Sequence, residues 1–267
     1  MRVTRLVYAN EARLAGQSIR PRRTEGPPEL RVPKYFRVKN DILAMTAGLA
    51  PGSAVPTERE LAEHFETSRT TVRQAIAELV VEGRLERTQG RGTFVAQPKL
   101  MQVRQLTSFS RDLQEQGRRP GSVLLQLSEQ SADLEVSTHL EIEQGTAIHR
   151  VERLRTATNE TIAHEIAHLP GPLPELAEQL EIHGSLYLTL DRAFGIRLAS
   201  VEDIVETALA DPVEADLLGV DTGLPILLVH RTGRDADGRP VEWTRSVFRG
   251  DRFRFVARHA VNQEIPA

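Results

Sequence analysis

Arg153 and Arg155 are the residues whose type and spacing most plainly suggest chemistry. They lie two apart in the run Ala147 to Thr156, which reads as a strand. On a strand both side chains leave one face, about 7 Å apart. Guanidinium pairs at that separation suit a phosphate or a carboxylate, although two arginines alone would also serve as a solvated strand face. Ser185 is an N-cap candidate for a helix from Leu186 to Phe194, and Ser108 to Ser110 opens another helix ahead of Gly117. Helix starts offer free N–H groups and a positive dipole end, which favour an anion. Tyr187 adds a phenolic donor.

A second constellation, His164-Glu165-Ile166-Ala167-His168, matches the H-E-x-x-H pattern of zinc hydrolases letter for letter. That chemistry needs a helix, where positions four apart meet one metal. Here the segment runs into Leu169-Pro170-Gly171-Pro172 and reads as a strand. Histidines four apart on a strand stand about 13 Å from one another, too far to share a zinc ion. A zinc hydrolase built on His164, Glu165 and His168 is therefore a distant alternative. His139, His149 and His183 are scattered, and Trp243 reads as core.

The third constellation is a surface for nucleic acid. Pro56 and the capping box Thr57/Glu60 open a helix with Leu61, Ala62 and Phe65 on its apolar side. After a break at Glu66-Thr67, Ser68 caps a second helix whose Val72, Ile76, Leu79 and Val80 repeat at helical spacing. Arg69, Thr70, Thr71, Arg73 and Gln74 are left outside. Two such helices joined by a tight turn form a helix-turn-helix whose exposed face suits the DNA major groove. Leu85 to Thr88 and Thr93 to Ala96 then read as two strands around Gln89-Gly90-Arg91-Gly92. Glycine at such a tip supplies positive φ and a close backbone approach, and Arg91 is placed to enter a minor groove. The whole is a winged helix-turn-helix.

These residues also carry a family resemblance. Pro51-Gly52, Pro56-Thr-Glu-Arg-Glu-Leu-Ala62, Ser68-Arg-Thr-Thr-Val-Arg73, Glu82-Gly83 and Gly90-Arg-Gly-Thr-Phe-Val95 resemble the GntR family of bacterial transcription regulators. Leu106-Thr-Ser-Phe-Ser-Arg-Asp112, Arg153-Leu-Arg155, Ser185-Leu-Tyr187, Leu217-Leu-Gly219 and Pro240-Val-Glu242 with Arg249-Gly-Asp-Arg252 resemble the UTRA effector-binding domain. Together they are similar to the HutC subfamily, most of all to the aminosugar-utilisation regulators of bacilli and streptomycetes. The resemblance implies an α+β chain, a winged helix-turn-helix followed by a chorismate-lyase-like UTRA domain with a mostly antiparallel sheet. It implies that Ser110, Arg153, Arg155, Ser185 and Tyr187 hold a sugar phosphate, while Phe109, Glu165 and Glu242 line the sugar. Arg59 and Arg69 match base-reading arginines, and Gly90 matches a wing-tip contact. Phe248 stands where those regulators carry Tyr, the turn Ala157-Thr158-Asn159-Glu160-Thr161 replaces their usual Ala-Asp-Gly-Glu-Pro, and His164 replaces a smaller residue.

The elements that must position these groups fall into two bodies, as 267 residues allow. Residues 1–32, with scattered arginines, are expected to be a disordered basic arm. Residues 33–96 form the DNA-binding domain, in which Tyr35, Val38, Ile42, Leu43 and Met45 build a bracing first helix. A polar linker at 97–105, the effector domain at 106–260 and a tail at 261–267 follow. Within the effector domain strands are expected at Val123–Leu127, Ala147–Thr156, Thr161–Leu169, Leu198–Leu209, Ile226–Gly233, Val241–Phe248 and Phe253–Arg258. Helices are expected at Ser108–Gln116, Ala132–Leu140, Pro174–Leu180, Ser185–Phe194 and Pro212–Leu218, with Asp237-Gly238 as a hairpin turn.

Charge follows the same division. Residues 1–96 hold 16 Lys and Arg against 11 Asp and Glu, a net of +5, whereas residues 97–267 hold 18 against 26, a net of −8. That asymmetry fits one domain on nucleic acid and another elsewhere. The absence of cysteine excludes disulfides and thiolate metal sites and agrees with a reducing cytoplasm. No apolar run reaches membrane-spanning length. The expectation is a cytoplasmic transcription regulator, most readily a repressor, that needs no cofactor and has no catalytic residues. It would bind a palindromic operator as a homodimer and respond to a phosphorylated sugar, an aminosugar 6-phosphate. The same regulator with another effector, or with none, is the alternative.

Overall fold

The computed structural model describes residues 33–88, 90–103 and 109–256. The basic arm, Gln89, residues 104–108 and the tail expected at 261–267 lie outside the described residues.

Three helices, α1 (Lys34–Thr46), α2 (Glu58–His64) and α3 (Arg69–Val81), and a hairpin of β1 (Leu85–Thr88) and β2 (Gly92–Val95) build the first body. Thr57 and Glu60 close the capping box on α2, and the Ser68 side chain accepts from the Thr71 N–H at the start of α3. Val38, Ile42, Leu61, Val72, Ile76, Leu79 and Leu85 form one core. Met45, expected to brace it, is exposed because it falls off the buried stripe of α1. Lys39 is nevertheless buried, since its ammonium pairs with Glu78 of α3 and with Glu82, the residue that caps that helix, at 3.0 and 2.5 Å. Gly83 ends α3 at φ +65, and a Cβ there would fall 1.9 Å from the Asp251 carbonyl oxygen, so the position admits glycine alone.

The second body is built on six antiparallel strands. These are β4 (Pro120–Ser131), β5 (Ala147–Ala157), β6 (Glu160–Pro170), β7 (Ser200–Leu209), β8 (Pro225–Arg234) and β9 (Pro240–Arg249), in the order β4-β5-β6-β9-β8-β7. We number the two-stranded partners β3 (Leu100–Val103) and β10 (Phe253–Val256), which pair in parallel. Two expectations fail here. The segment expected as a polar linker contains β3, because Leu100 packs with Phe253 and Phe109 in a common core. The strand expected at Val123–Leu127 is instead the longer β4, which starts at Pro120 on the sheet edge, where proline's missing N–H costs no ladder bond.

Helices cover both faces of the sheet. On one face α6 (Leu176–His183) and α7 (Leu186–Phe194) bury Leu176, Leu180, Leu186 and Leu190 against Val151, Ala167 and Leu169. On the other face α5 (Leu134–Leu140) packs on Ile148 and Trp243, and α8 (Pro212–Leu218) packs on Ile226 and Val247. Each such leucine contributes roughly 1.5–3 kcal/mol by burial. One further helix, α4 (Phe109–Glu115), docks Phe109 and Leu113 against Phe248 and Phe253.

Candidate functional site

The alternation of β5 sends Val151, Arg153 and Arg155 to the α6/α7 face, and the register sets Arg153 opposite Glu165 on β6. Arg153 and Arg155 are 2% and 4% exposed, so neither is the solvated strand face that two arginines alone would suggest. Both donate to the same carboxylate oxygen, Glu165 Oε1, Arg155 at 3.1 Å. Ser246 Oγ donates to the other oxygen at 3.4 Å. Burial alone would raise the Glu165 carboxyl, but the charges and hydrogen bonds of the two arginines outweigh it and hold it down to about 2. Two buried cations thus share one anion. Arg153 Nε and Nη1 and Arg155 Nε are buried with no partner among the described residues. Donors left so cost about 1–3 kcal/mol each unless a guest or water satisfies them.

A cavity of about 40 Å³ opens beside this pair. Phe109, Ser185, Tyr187, Glu242 and Phe248 line it with the three charged groups just described. Room for about three waters is well below the ~300 Å³ of a small-molecule pocket. Arg153 also walls a groove of about 690 Å³ between β4 and α6.

The sequence candidates of the second body therefore gather at the cavity or directly behind it. Ser185 holds the N-cap position of α7 but makes no side-chain cap bond, and the buried residue lines the cavity. Ser110 stands behind Arg155, whose Nη2 donates to its Oγ at 3.3 Å, and the Arg155 guanidinium lies 4.7 Å over the Phe109 ring. Glu165, which the resemblance sets beside a sugar, lines the cavity and is also the arginines' counter-ion. Glu242 is 2% exposed and accepts from the Tyr187 hydroxyl at 2.8 Å. Burial and the nearby Glu165 charge push its carboxyl up. Burial pushes the Tyr187 phenol up as well, so it stays a donor.

Sequence reasoning missed Arg231, Thr244 and Ser246, which complete the polar wall. For Thr244 and Ser246 the signal was present, because Glu242, Thr244, Ser246 and Phe248 alternate along β9, whereas Arg231 joins them only through its register with Thr244.

The H-E-x-x-H segment lies on β6, so Glu165 faces the cavity while His164 and His168 face away from it. His164 Nε2 bonds Glu152 at 2.7 Å, and His168 stacks on Trp243, which is core. No group of three His, Cys, Asp or Glu among the described residues is placed to hold a metal ion.

On the helix-turn-helix, Arg59, Ser68, Arg69, Thr70, Arg73 and Gln74 are exposed and Thr71 is half-buried. Arg59 and Arg69 make no ion pair among the described residues. Arg73 is tied to Glu58 at 3.1 Å, and the same carboxylate holds Arg87 of the wing at 2.8 Å. Ser68 and Thr71 are occupied in the cap, their hydroxyls 2.8 Å apart. Gly90 and Arg91 are exposed at the wing tip, Gly90 at φ +72.

The two bodies touch through the β9–β10 turn. Arg252 bridges Glu86 of the wing and Glu160 of the β5–β6 turn, both at 2.7 Å. Lys99 Nζ donates to the Gly250 carbonyl at 2.6 Å.

Comparison with known proteins accounts for both regions. Residues 35–95 match the model for bacterial regulatory proteins of the gntR family, and residues 115–254 match the UTRA domain. The chain is 36% identical over 228 residues to the HTH-type transcriptional repressor NagR of Bacillus subtilis, covering 84% of this chain and 94% of that protein. It is 37% identical over 237 residues to the HTH-type transcriptional repressor PhnF of Mycolicibacterium smegmatis, covering 88% and 96%. The crystal structure of PhnF from Mycobacterium smegmatis superposes with a TM-score of 0.57 at 34% identity, covering 84% of this chain and all of that one.

Proposed function

The chain belongs to the GntR family as a DNA-binding transcriptional repressor of the HutC type with a UTRA domain, and from that premise we propose that a phosphorylated sugar controls it. The observation that carries this reading is the buried arginine pair with more N–H donors than the protein satisfies, beside the start of α7. A phosphoryl group supplies what that pair lacks, namely negative charge and several acceptors. The partly apolar walls and the acceptor Glu242 suit a sugar ring and its hydroxyl or amino groups. The resemblance to aminosugar regulators makes an aminosugar 6-phosphate the first choice.

The effector set is Phe109, Ser110, Arg153, Arg155, Glu165, Ser185, Tyr187, Glu242 and Phe248. The cavity is smaller than such a ligand, so binding must move its walls. An effector has to favour one arrangement over another in this way, and operator DNA must in turn weaken effector binding by the same factor. The operator would be palindromic and read by a homodimer through Arg59, Arg69, Thr70, Gln74 and the Gly90–Arg91 wing, with Ser68, Thr71 and Arg73 holding the recognition helix. Both edges of the large sheet carry exposed apolar side chains suited to self-association, Val123, Leu124 and Leu125 on β4 and Ile204, Val205 and Leu209 on β7. No helix among the described residues is long and apolar enough to cross a membrane. We place the protein in the cytoplasm with its operator, and divide its work between residues 33–96 and 106–260.

The test is operator release. An immobilised duplex carrying a subfamily-type palindrome is titrated with glucosamine 6-phosphate, N-acetylglucosamine 6-phosphate and their unphosphorylated forms. Release by a phosphosugar alone supports the reading. Tight DNA binding that no phosphosugar changes removes the effector and leaves the repressor.

A further inference from the structure

Resting on the reading of the cavity as an effector site, we propose that Asp203 and Arg231 are positioning residues that fix the direction in which a ligand lies there. Arg231 is the third arginine at the cavity and the one the sequence did not single out. Its Nε and Nη2 donate to the two carboxylate oxygens of Asp203, on the neighbouring strand β7, at 2.6 and 2.9 Å. The Asp203 side chain is 1% exposed and that of Arg231 12%, so the paired fork is shielded from water. Arg231 Nη1 donates to the Tyr187 hydroxyl at 3.4 Å.

The direction of the chain follows from donor counting. A guanidinium only donates, so the Tyr187 oxygen accepts from Arg231 and its single proton goes to Glu242 Oε2. Glu242 is thereby held as an acceptor toward Tyr187. Thr244 Oγ1 lies buried on the same face of β9, beside Glu242, whose carboxyl it helps to hold down. This end of the cavity asks for a hydroxyl or ammonium donor. The other end, at Arg153 and Arg155, asks for an anion.

Asp203 keeps the two ends different. With both oxygens on Arg231 it cancels that charge and occupies the donors that would compete for a phosphoryl group. Released from Asp203, Arg231 would offer a second anion site at the sugar end, and the ligand would lose its preferred orientation.

The test titrates inorganic phosphate and glucosamine 6-phosphate into the full-length protein and its Asp203→Asn and Arg231→Lys variants, with ligand-free operator affinity as the check on folding. Inorganic phosphate senses only anion sites, whereas the sugar phosphate senses orientation. The expected result is a ratio of sugar-phosphate to phosphate affinity about tenfold lower in both variants, through weaker sugar-phosphate binding while phosphate binding is kept or strengthened. An unchanged ratio overturns the proposal alone. So does a parallel loss of both ligands in both variants, whether or not operator binding survives. Wild-type protein that binds neither ligand overturns the effector reading and this proposal with it.

Discussion

The cavity and the helix-turn-helix both depend on arginine, but they hold it in opposite ways. Around the cavity Arg153, Arg155 and Arg231 are removed from water, and each donor is either committed or left unsatisfied. On the helix-turn-helix Arg59 and Arg69 stand in solvent with no ion pair among the described residues, where an unpaired arginine costs little. A buried arginine pair with spare donors therefore supports the proposed anionic effector by its own geometry. An exposed arginine does not, and its meaning comes from the sequence pattern around it. The same contrast predicts where substitution does harm: to ligand response and stability in the cavity, and to affinity alone on the surface.

The largest effect that can break this contrast is loss of the clamp. Replacing both Arg153 and Arg155 by Ala removes several charge-assisted hydrogen bonds, each contributing about 1.5–3 kcal/mol. Effector-induced release of operator should then need at least about 100-fold more ligand, while operator affinity without ligand stays within a few-fold. The variant should also unfold at lower temperature, because Glu165 loses both counter-ions and is left buried. A double variant that still responds at wild-type ligand concentration removes the arginine pair from the effector site.

Arg69→Ala on the surface should do the reverse. A bidentate base contact discriminates by about 1–3 kcal/mol, so operator affinity should fall roughly 10- to 100-fold. Effector affinity and the melting temperature should not move. A fluorescence-anisotropy titration against operator and scrambled duplexes separates base reading from phosphate contact. Equal loss on both duplexes would mean that Arg69 serves the backbone only.

The contact between the two bodies sharpens the comparison further. Arg252 belongs to neither site, yet it joins Glu86 of the wing to Glu160 at the start of β6. The Phe248 ring of the cavity wall stacks on Phe253, one residue beyond Arg252, at 4.1 Å between centroids. Arg252→Ala should leave both separate affinities nearly intact and shrink the factor by which effector weakens operator binding by a few-fold, within the 1–3 kcal/mol usual for such coupling. Measuring each ligand's affinity in the presence and absence of the other gives that factor directly. An unchanged factor would make the bridge structural only.

What was legible in the sequence follows the same line. The capping box at Thr57 and Glu60, the Ser68 cap and the strand pair carrying Arg153 and Glu165 came from short-range patterns, and the structure forms them where local periodicity places them. Reading the H-E-x-x-H segment as a strand also rested on local signals, and β6 runs through it. The β3–β10 pairing was not legible, because its partners lie about 150 residues apart and a polar flank hides Leu100. Arg231 was overlooked because its role depends on β8 lying between β7 and β9, a neighbourhood set by the whole sheet. The sharing of Glu165 by two arginines needed the β5–β6 register, which no composition or motif supplies.

The smallest effect concerns Glu242, where affinity and stability should separate. Its carboxyl is buried near Glu165 and pushed up, so above its folded value the ionised form sits in the folded protein at a cost that the unfolded chain does not bear. For an acid raised on folding, the native state binds the proton more tightly, and its contribution to stability falls as pH rises through the folded value. Glu242→Gln keeps the shape and removes that charge, so its melting temperature should exceed wild type slightly at pH 8. The gap should close as pH is lowered, because wild-type Glu242 takes up its proton and becomes as neutral as the amide. Sugar-phosphate affinity should fall in the same variant, since an amide that still accepts from Tyr187 offers a guest N–H rather than an anionic oxygen. Thermal scans across pH and a ligand titration check the two halves separately. A variant less stable than wild type at every pH would show that the Tyr187–Glu242 bond outweighs the charge, and that the acceptor end of the cavity is held by structure rather than kept for a ligand.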